Sequence, residues 1–405
     1  MSIPGSRIAA AVAVVMALLA TGCGGESTAA QRDPTIDLNA LDVGGYRSEP
    51  KDFTPSDRSF VGRAFEAERL GAAVPLMSEI DAKLGYNLAE SVHAFLSPGE
   101  AYSSPMYNWL REDGFADDAP GFIAGFATSA QSDRDYRISY GASDSVLLFD
   151  SEQAASSAAA ALAQRGWGTV GDSPPRVEPV RSAVHSTAIS SWLPDWQVLA
   201  SWYATGKFVI VAMAESEESR SLKVSDRDLL QTLTDKAITL TSGRLRSFTP
   251  TPRDQLTTVP FDPDGMLRIS LPRPDGDSYT NLPGVYTPAA FLHQENHPER
   301  AKARYDKFGV DRVAANGGRI YRARDAHAAG QLRDDLVSNR FTRPVESPVG
   351  LPTARCRRYH GPVNAATQFY CYVAFGRYVA MTWGLQLSDA QQRASAQYSI
   401  LARSK

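Results

Sequence analysis

The feature that most constrains this fold is a pattern that occurs twice. Residues 144–164, "DSVLLFDSEQAASSAAAALAQ", read as a strand followed by a helix that begins near Asp150 or Ser151. A side-chain oxygen at that point caps backbone N–H groups that a first helical turn leaves unpaired. The alanines behind it favour helix strongly. Residues 317–338, "GGRIYRARDAHAAGQLRDDLVS", repeat the order: a short β-rich run, an Asp, then a helix containing Ala and Leu. A second matching element follows each at a similar distance. Residues 198–216, "VLASWYATGKFVIVAMAES", and 368–386, "QFYCYVAFGRYVAMTWGLQ", place aromatic and β-branched residues on both sides of a Gly-basic pair, Gly206-Lys207 and Gly376-Arg377. This is a hairpin signature, with glycine taking a backbone conformation that other residues resist. Each hairpin is trailed by apolar residues at helical spacing, over 226–240 and 388–402.

Strand, helix, two hairpin strands and helix, taken twice, imply an α+β chain of two similar domains. Each is expected to be an antiparallel sheet covered on one face by helices, in a ferredoxin-like or related sandwich. The first domain spans 37–243 and the second 266–405, joined by a Pro-, Thr- and Asp-rich linker over 244–265. Within the first, 58–71 reads as a helix, and "LDVGGYRSEP" (41–50) as a turn-rich segment on that domain's surface. Aligning the two hairpin glycines without gaps sets Cys371 opposite Ser201 and Cys356 opposite Ser186.

The amino terminus fixes an address. Behind Arg7 runs "IAAAVAVVMALLA", without charge, Pro or Gly and too short to span a bilayer comfortably. Basic n-region, short apolar core and small residues at the cut describe a secretory signal over 1–22. Its end, Ala20-Thr21-Gly22-Cys23, resembles the lipobox of bacterial lipoproteins, with Ala20 where Leu is usual. That resemblance implies cleavage before Cys23 and acylation of its thiol, with two or three fatty chains such as palmitate giving stable membrane attachment. Residues 23–36 then read as a flexible tether. With Cys23 acylated, Cys356 and Cys371 remain as an even pair, and outside the cytoplasmic membrane thiols tend to oxidise. A Cys356–Cys371 disulfide closing 15 residues is expected. The spacing suits neither C-x-x-C redox chemistry nor a zinc site. The net charge is -3 and no basic stripe stands out along the chain, so nucleic acid is not an expected partner.

The lipobox, "LDVGGYRSEP", "GFIAGFATS" in the middle and the duplicated α+β halves together resemble an uncharacterised family of actinobacterial cell-envelope lipoproteins. The resemblance covers most of the mature chain. It implies an anchored, two-domain protein outside the cytoplasmic membrane, and brings no activity, cofactor or catalytic residues with it.

Motifs that would carry chemistry are weak. His293 and His297 are four apart in "HQENHPER", a spacing that puts two ligands on one helix face. No further ligand is evident and Pro298 follows at once, so solvated helix-end histidines are the simpler reading. Asp262 and Asp264, and Asp275 and Asp277, sit in Asp-Gly turns and lack EF-hand spacing. G-x-S-x-G and the P-loop pattern do not occur. His185, His327 and His360 could each act as a base, but the sequence offers no nucleophile beside them. Trp192, Trp196, Tyr203 and Trp383 are strand-region aromatics that build a core or, alternatively, line a ligand groove. The expectation is therefore a non-enzymatic binding or accessory module with no cofactor or metal, facing the cell wall from a membrane anchor. Its partners would be a lipid, glycan or peptide ligand, or an envelope protein. An envelope hydrolase or transferase whose site assembles only in the fold, and a structural or assembly protein, are the alternatives.

Overall fold

The computed structural model describes residues 36–52, 58–87, 93–97, 114–168, 174–260, 262–273, 282–361 and 367–404. The signal segment, Cys23 and the tether to Thr35 lie outside the described residues. Residues 37–405 pack as one compact unit containing two antiparallel sheets. No helix among the described residues is long and apolar enough to cross a membrane.

The first half carries β1 (Tyr86–Asn87), β2 (His93–Phe95), β3 (Phe122–Gln131), β4 (Tyr140–Phe149), β5 (Glu178–Val180), β6 (Ile189–Leu193), β7 (Val198–Thr205) and β8 (Phe208–Ser216). β1 and β2 both pair with β3, and the sheet continues β3-β4-β8-β7-β6-β5. The second half carries β9 (Gly284–Tyr286), β10 (Arg312–Ala315), β11 (Arg319–Arg322), β12 (Thr342–Val345), β13 (Arg355–Tyr359), β14 (Phe369–Phe375) and β15 (Tyr378–Gly384), in the order β9-β10-β11-β15-β14-β13-β12. The two orders trace the same path through the chain, so the internal repeat is one of topology. Six longer helices accompany the sheets: α1 (Arg58–Leu70), α2 (Glu152–Arg165), α3 (Arg227–Leu245), α4 (Pro298–Phe308), α5 (Ala326–Val337) and α6 (Leu387–Arg403).

Local chemistry explains the matching parts. Ser151 caps α2 by accepting from the Ala154 N–H at 3.1 Å, and Asp325 caps α5 by accepting from Ala328 at 2.7 Å. Both hairpins close through two residues, Gly206-Lys207 between paired Thr205 and Phe208, and Gly376-Arg377 between paired Phe375 and Tyr378. The glycines take φ of +52° and +53°, a region that charges a side chain about 1–2 kcal/mol.

The sheets are covered on both faces, where the sequence led us to expect one. α3 lays Leu230, Leu233, Ala237 and Ile238 against Leu199, Ile210 and Ala212. α2 covers the opposite face, packing Ala155, Ala158 and Leu162 on Val198, Ala200, Val209 and Val211. Every residue of β8 is buried as a result. In the second half α5 packs Ala328, Ala329 and Leu332 near Tyr321 and Val379, and α6 stacks Tyr398 edge-on against Phe375 across the other face. The result is a three-layer relative of the sandwich first envisaged.

Cys356 and Cys371 are bonded to each other and sit directly opposite on β13 and β14, with Cα atoms 4.1 Å apart. At the equivalent place in the first half, Ser190 and Ser201 face each other on β6 and β7 and share a buried Oγ–Oγ hydrogen bond of 2.8 Å. The counterpart of Cys356 is therefore Ser190, not Ser186. The ungapped alignment slips by four because the β6–β7 and β13–β14 connections differ in length.

Two boundaries move. Residues 39–51 dock on the second half: Arg403 donates to the Ser48 carbonyl at 2.9 Å and to Asn39 Oδ1 at 3.0 Å, and Arg47 donates to the Ser270 carbonyl at 2.6 Å. The Tyr46 hydroxyl donates to Asp389 and lies under the Arg393 guanidinium. The segment read as first-domain surface is thus part of the second. The stretch read as a linker, 244–265, is a strap rather than a free connection. α3 runs into it as far as Leu245, Thr251 donates to the buried Glu66 of α1 at 2.6 Å, and Leu256 is buried.

Candidate functional site

The duplicated architecture allows each face of one sheet to be compared with its twin. On the α2 face of the first sheet, Leu147 of β4, Ala200 and Trp202 of β7, and Val211 and Met213 of β8 form a dry core with Phe149 and Trp167. Ser145 also points there, its hydroxyl buried. Counting from the hairpins, the equivalent positions in the second sheet are Tyr321, Tyr370, Tyr372, Met381, Trp383 and Arg319. Strand register sets them side by side: Tyr370 opposite Trp383, Tyr372 opposite Met381, and Arg319 opposite Met381. An apolar face has become one of aromatic rings and a guanidinium. Tyr370, Met381, Trp383 and Arg319 are each partly exposed there.

The neighbouring elements fix these side chains. Glu295, just after the short turn 292–294, accepts from the Tyr305 hydroxyl of α4 at 2.8 Å and from Tyr321 at 3.3 Å. Arg319 approaches the same carboxylate at 3.6 Å and lies 5.1 Å over the Phe291 ring. Arg304 of α4 donates to Asp335 of α5 at 2.6 Å, tying together the two helices beside the face. Burial, and then the nearby Tyr370, push the Tyr372 hydroxyl up to about 12. Burial first, and then the negative charge of Glu295, raise Tyr305 and Tyr321 well above the ordinary phenol range. All three phenols are neutral near pH 7. They can stack, donate and accept, but they do not supply a base.

The other sequence candidates scatter. Trp192 is 3% exposed and packs in the α3-side core with Leu199. Tyr203 borders that same core, its ring 5.2 Å from His185. Trp196 packs against the opposite core, under the Arg220 guanidinium at 5.1 Å. Trp383 belongs to the second sheet, so these four residues do not line one groove. Tyr370, Tyr372, Arg319 and Glu295 were missed. The alternation in "FYCYV" was the available signal: period two places both tyrosines on the face opposite Cys371.

The histidines have structural uses. His293 is buried between the halves, donating from Nε2 to the Gly71 carbonyl at 3.1 Å, which leaves Nδ1 to accept from the Thr128 hydroxyl at 3.1 Å. Burial holds its pKa down at about 4, so it is a neutral core residue rather than the solvated one first read. His297 is exposed at the start of α4, and the pair shares no helix face. His185 binds the Asp235 carbonyl and Thr239 hydroxyl of α3, while His327 and His360 are exposed. Asp264 pairs with Arg312 and Arg322, and Asp262 accepts from the Arg268 N–H. Asp275 and Asp277 lie outside the described residues. Among the described residues no three His, Cys, Asp or Glu side chains gather as a metal site. A cleft of about 260 Å³ between α1 and the strap is lined by Arg63, Ile123 and Leu256, and Arg63 donates to the Ile123 and Leu96 carbonyls.

Comparison with known proteins agrees with the division into halves. The N-terminal model of the domain of unknown function DUF7373 matches residues 53–261, and its C-terminal model matches 266–404. No match was found among curated proteins. Among solved structures, the chain is similar to the extracellular domain of PknH from Mycobacterium tuberculosis, at 13% identity and a TM-score of 0.27, covering 43% of this chain and 95% of that one. The two models leave the docked segment before residue 53 outside both and meet within the strap, and the chain belongs to the DUF7373 family, with both its N-terminal and C-terminal parts present.

Proposed function

We propose that this chain is a lipoprotein held through Cys23 on the extracytoplasmic face of the cell membrane. There it acts as a non-enzymatic binding or accessory module facing the cell wall, and the face around Tyr370, Tyr372, Trp383 and Arg319 meets its ligand. One observation carries the reading. Two copies of one sheet face have diverged, the first into closed core and the second into part-exposed aromatic rings beside a cation. The first solution buries its residues, whereas the second leaves Tyr370, Trp383 and Arg319 part-exposed, where a ligand can reach them. Rings and a guanidinium in this arrangement suit a sugar ring, an acyl chain or a peptide. The anchor is supported by the Ala20-Thr21-Gly22-Cys23 sequence and by the cystine, a state that persists outside the cytoplasm.

Native mass spectrometry of protein purified from its own envelope tests the ligand face. Wild type is expected to carry a co-purified mass that the Tyr370→Ala/Trp383→Ala variant, still unfolding cooperatively, has lost. The same bound mass in both proteins would remove this face from the reading. Separately, Cys23→Ala is expected to shift most of the protein out of the membrane fraction. Retention there would place the anchor elsewhere.

A further inference from the structure

Folding assembles a charge pattern that the linear sequence spreads out. β12, β13 and their flanks bring together Arg340, Arg343, Arg355, Arg357 and Arg358 at one edge of the second sheet, with Glu346 the single acidic residue between 340 and 360. Four of the five are exposed and Arg357 is half-buried. Among the described residues, none of the five forms an ion pair with a carboxylate. Arg355 and Arg357 donate to backbone carbonyls and to the Thr342 hydroxyl, and Arg340 and Arg358 lie over Phe341 and Phe369. Arg343 and Arg358 are direct cross-strand partners. Like charges directly opposite destabilise a strand pair. Protection of an exposed edge explains a charge and Pro344 on β12. It does not explain three arginines on β13, which is already paired on both sides.

We infer that this basic hairpin is a second membrane contact, which rests against anionic phospholipid headgroups and orients the tethered protein. The charge calls for an anionic partner, and the path of the chain selects the membrane. The compact unit starts at Asp37, and close behind it buried Leu41 packs on Gly350 of the β12–β13 connection, 3.3 Å from where a side chain there would start. Residue 23 lies 14 positions before Asp37, a reach of at most about 50 Å when fully extended. An acyl anchor combined with a basic patch is the two-signal arrangement that gives stable attachment. The choice of a membrane as occupant rests on the proposed Cys23 anchor, whereas the need for an anionic partner does not.

The test uses the mature chain without its acylated residue, 24–405, which holds the whole compact unit. Its affinity is measured for vesicles of phosphatidylcholine alone and with one third phosphatidylglycerol. Binding is expected only to the anionic vesicles, with loss in high salt. Arg343→Gln/Arg358→Gln is expected to weaken it about 25-fold, at about fivefold per arginine, with an unchanged or raised melting temperature because the opposed charges are gone. Equal binding to both vesicle types, or an unchanged affinity in the variant, overturns the inference. Binding to a soluble polyphosphate or oligonucleotide without vesicle binding also overturns it, and assigns the hairpin to a soluble polyanion. Acylation is read independently, as the mass on Cys23 in cells, so failure of the anchor and failure of the hairpin give different results.

Discussion

Replacing Cys356 and Cys371 together by serine is expected to lower stability by roughly 2–3 kcal/mol while leaving the fold intact. The bond closes a 15-residue separation, and the chain entropy it removes from the unfolded state corresponds to about 3 kcal/mol. The protein contains its own control. Ser190 and Ser201 occupy the matching cross-strand site and hydrogen-bond at 2.8 Å, so this geometry accepts two hydroxyls. A hydrogen bond of that kind returns about 1 kcal/mol, which makes the net loss roughly 2–3 kcal/mol. Urea unfolding without reductant measures it. Adding reductant should lower the wild type's midpoint to the variant's or below it, and leave the variant where it was. A double-serine chain that cannot fold at 25 °C would show that the cystine defines the second sheet rather than merely securing it.

Asp144→Asn is expected to make the protein more stable at pH 8 and to change it little near pH 4. Asp144 lies on β4 in the core under α3, fully buried, with one oxygen accepting from the Thr241 hydroxyl and the other unpaired. Burial raises its pKa from 3.8 to about 7, against the smaller opposing effects of Thr241 and Arg244. Between those values the folded protein keeps a proton that the unfolded chain has released. Stability is therefore full below about pH 3.8 and falls as pH rises towards 7. A rise from 3.8 to about 7 corresponds to at most roughly 4 kcal/mol. Asparagine keeps an acceptor for Thr241 and never ionises, so its stability curve lacks this fall. Glu68, buried in α1 and raised well above the carboxylate range by burial, keeps a slope of the same sign in both proteins. Urea midpoints at pH 4 and pH 8 decide the matter: parallel curves for the two proteins would mean that Asp144 ionises freely in the fold.

What the sequence revealed was what local chemistry determines. The hairpins were legible because Gly206 and Gly376 need a positive φ, and the helix starts because Ser151 and Asp325 cap them. The cystine followed from counting thiols. Coverage of both sheet faces was harder to see, although "FVIVAMA" in β8 is a continuous apolar run of the kind a strand needs when helices lie on either side. The short strands β9 and β10 carry too few residues for a periodic signal, and their positions depend on distant partners. Gly284 of β9 shows why. A Cβ there would lie 1.6 Å from the Glu68 carboxylate of α1, a contact between residues more than two hundred positions apart. The candidate site was half legible. Trp383 was noticed for its ring, but the tyrosines and arginine beside it gain meaning only from strand register and from comparison with the first half.

The docking of residues 39–51 on the second half has a mechanical consequence. Tension applied at the amino terminus does not pass first to α1, although α1 comes next along the chain. It meets Arg403 on Asn39 and Ser48, Asp389 on Tyr46, and Ser270 on Arg47. The pull is thus shared between the two ends of the polypeptide, and the first half hangs from the second as a passenger until those bonds give way.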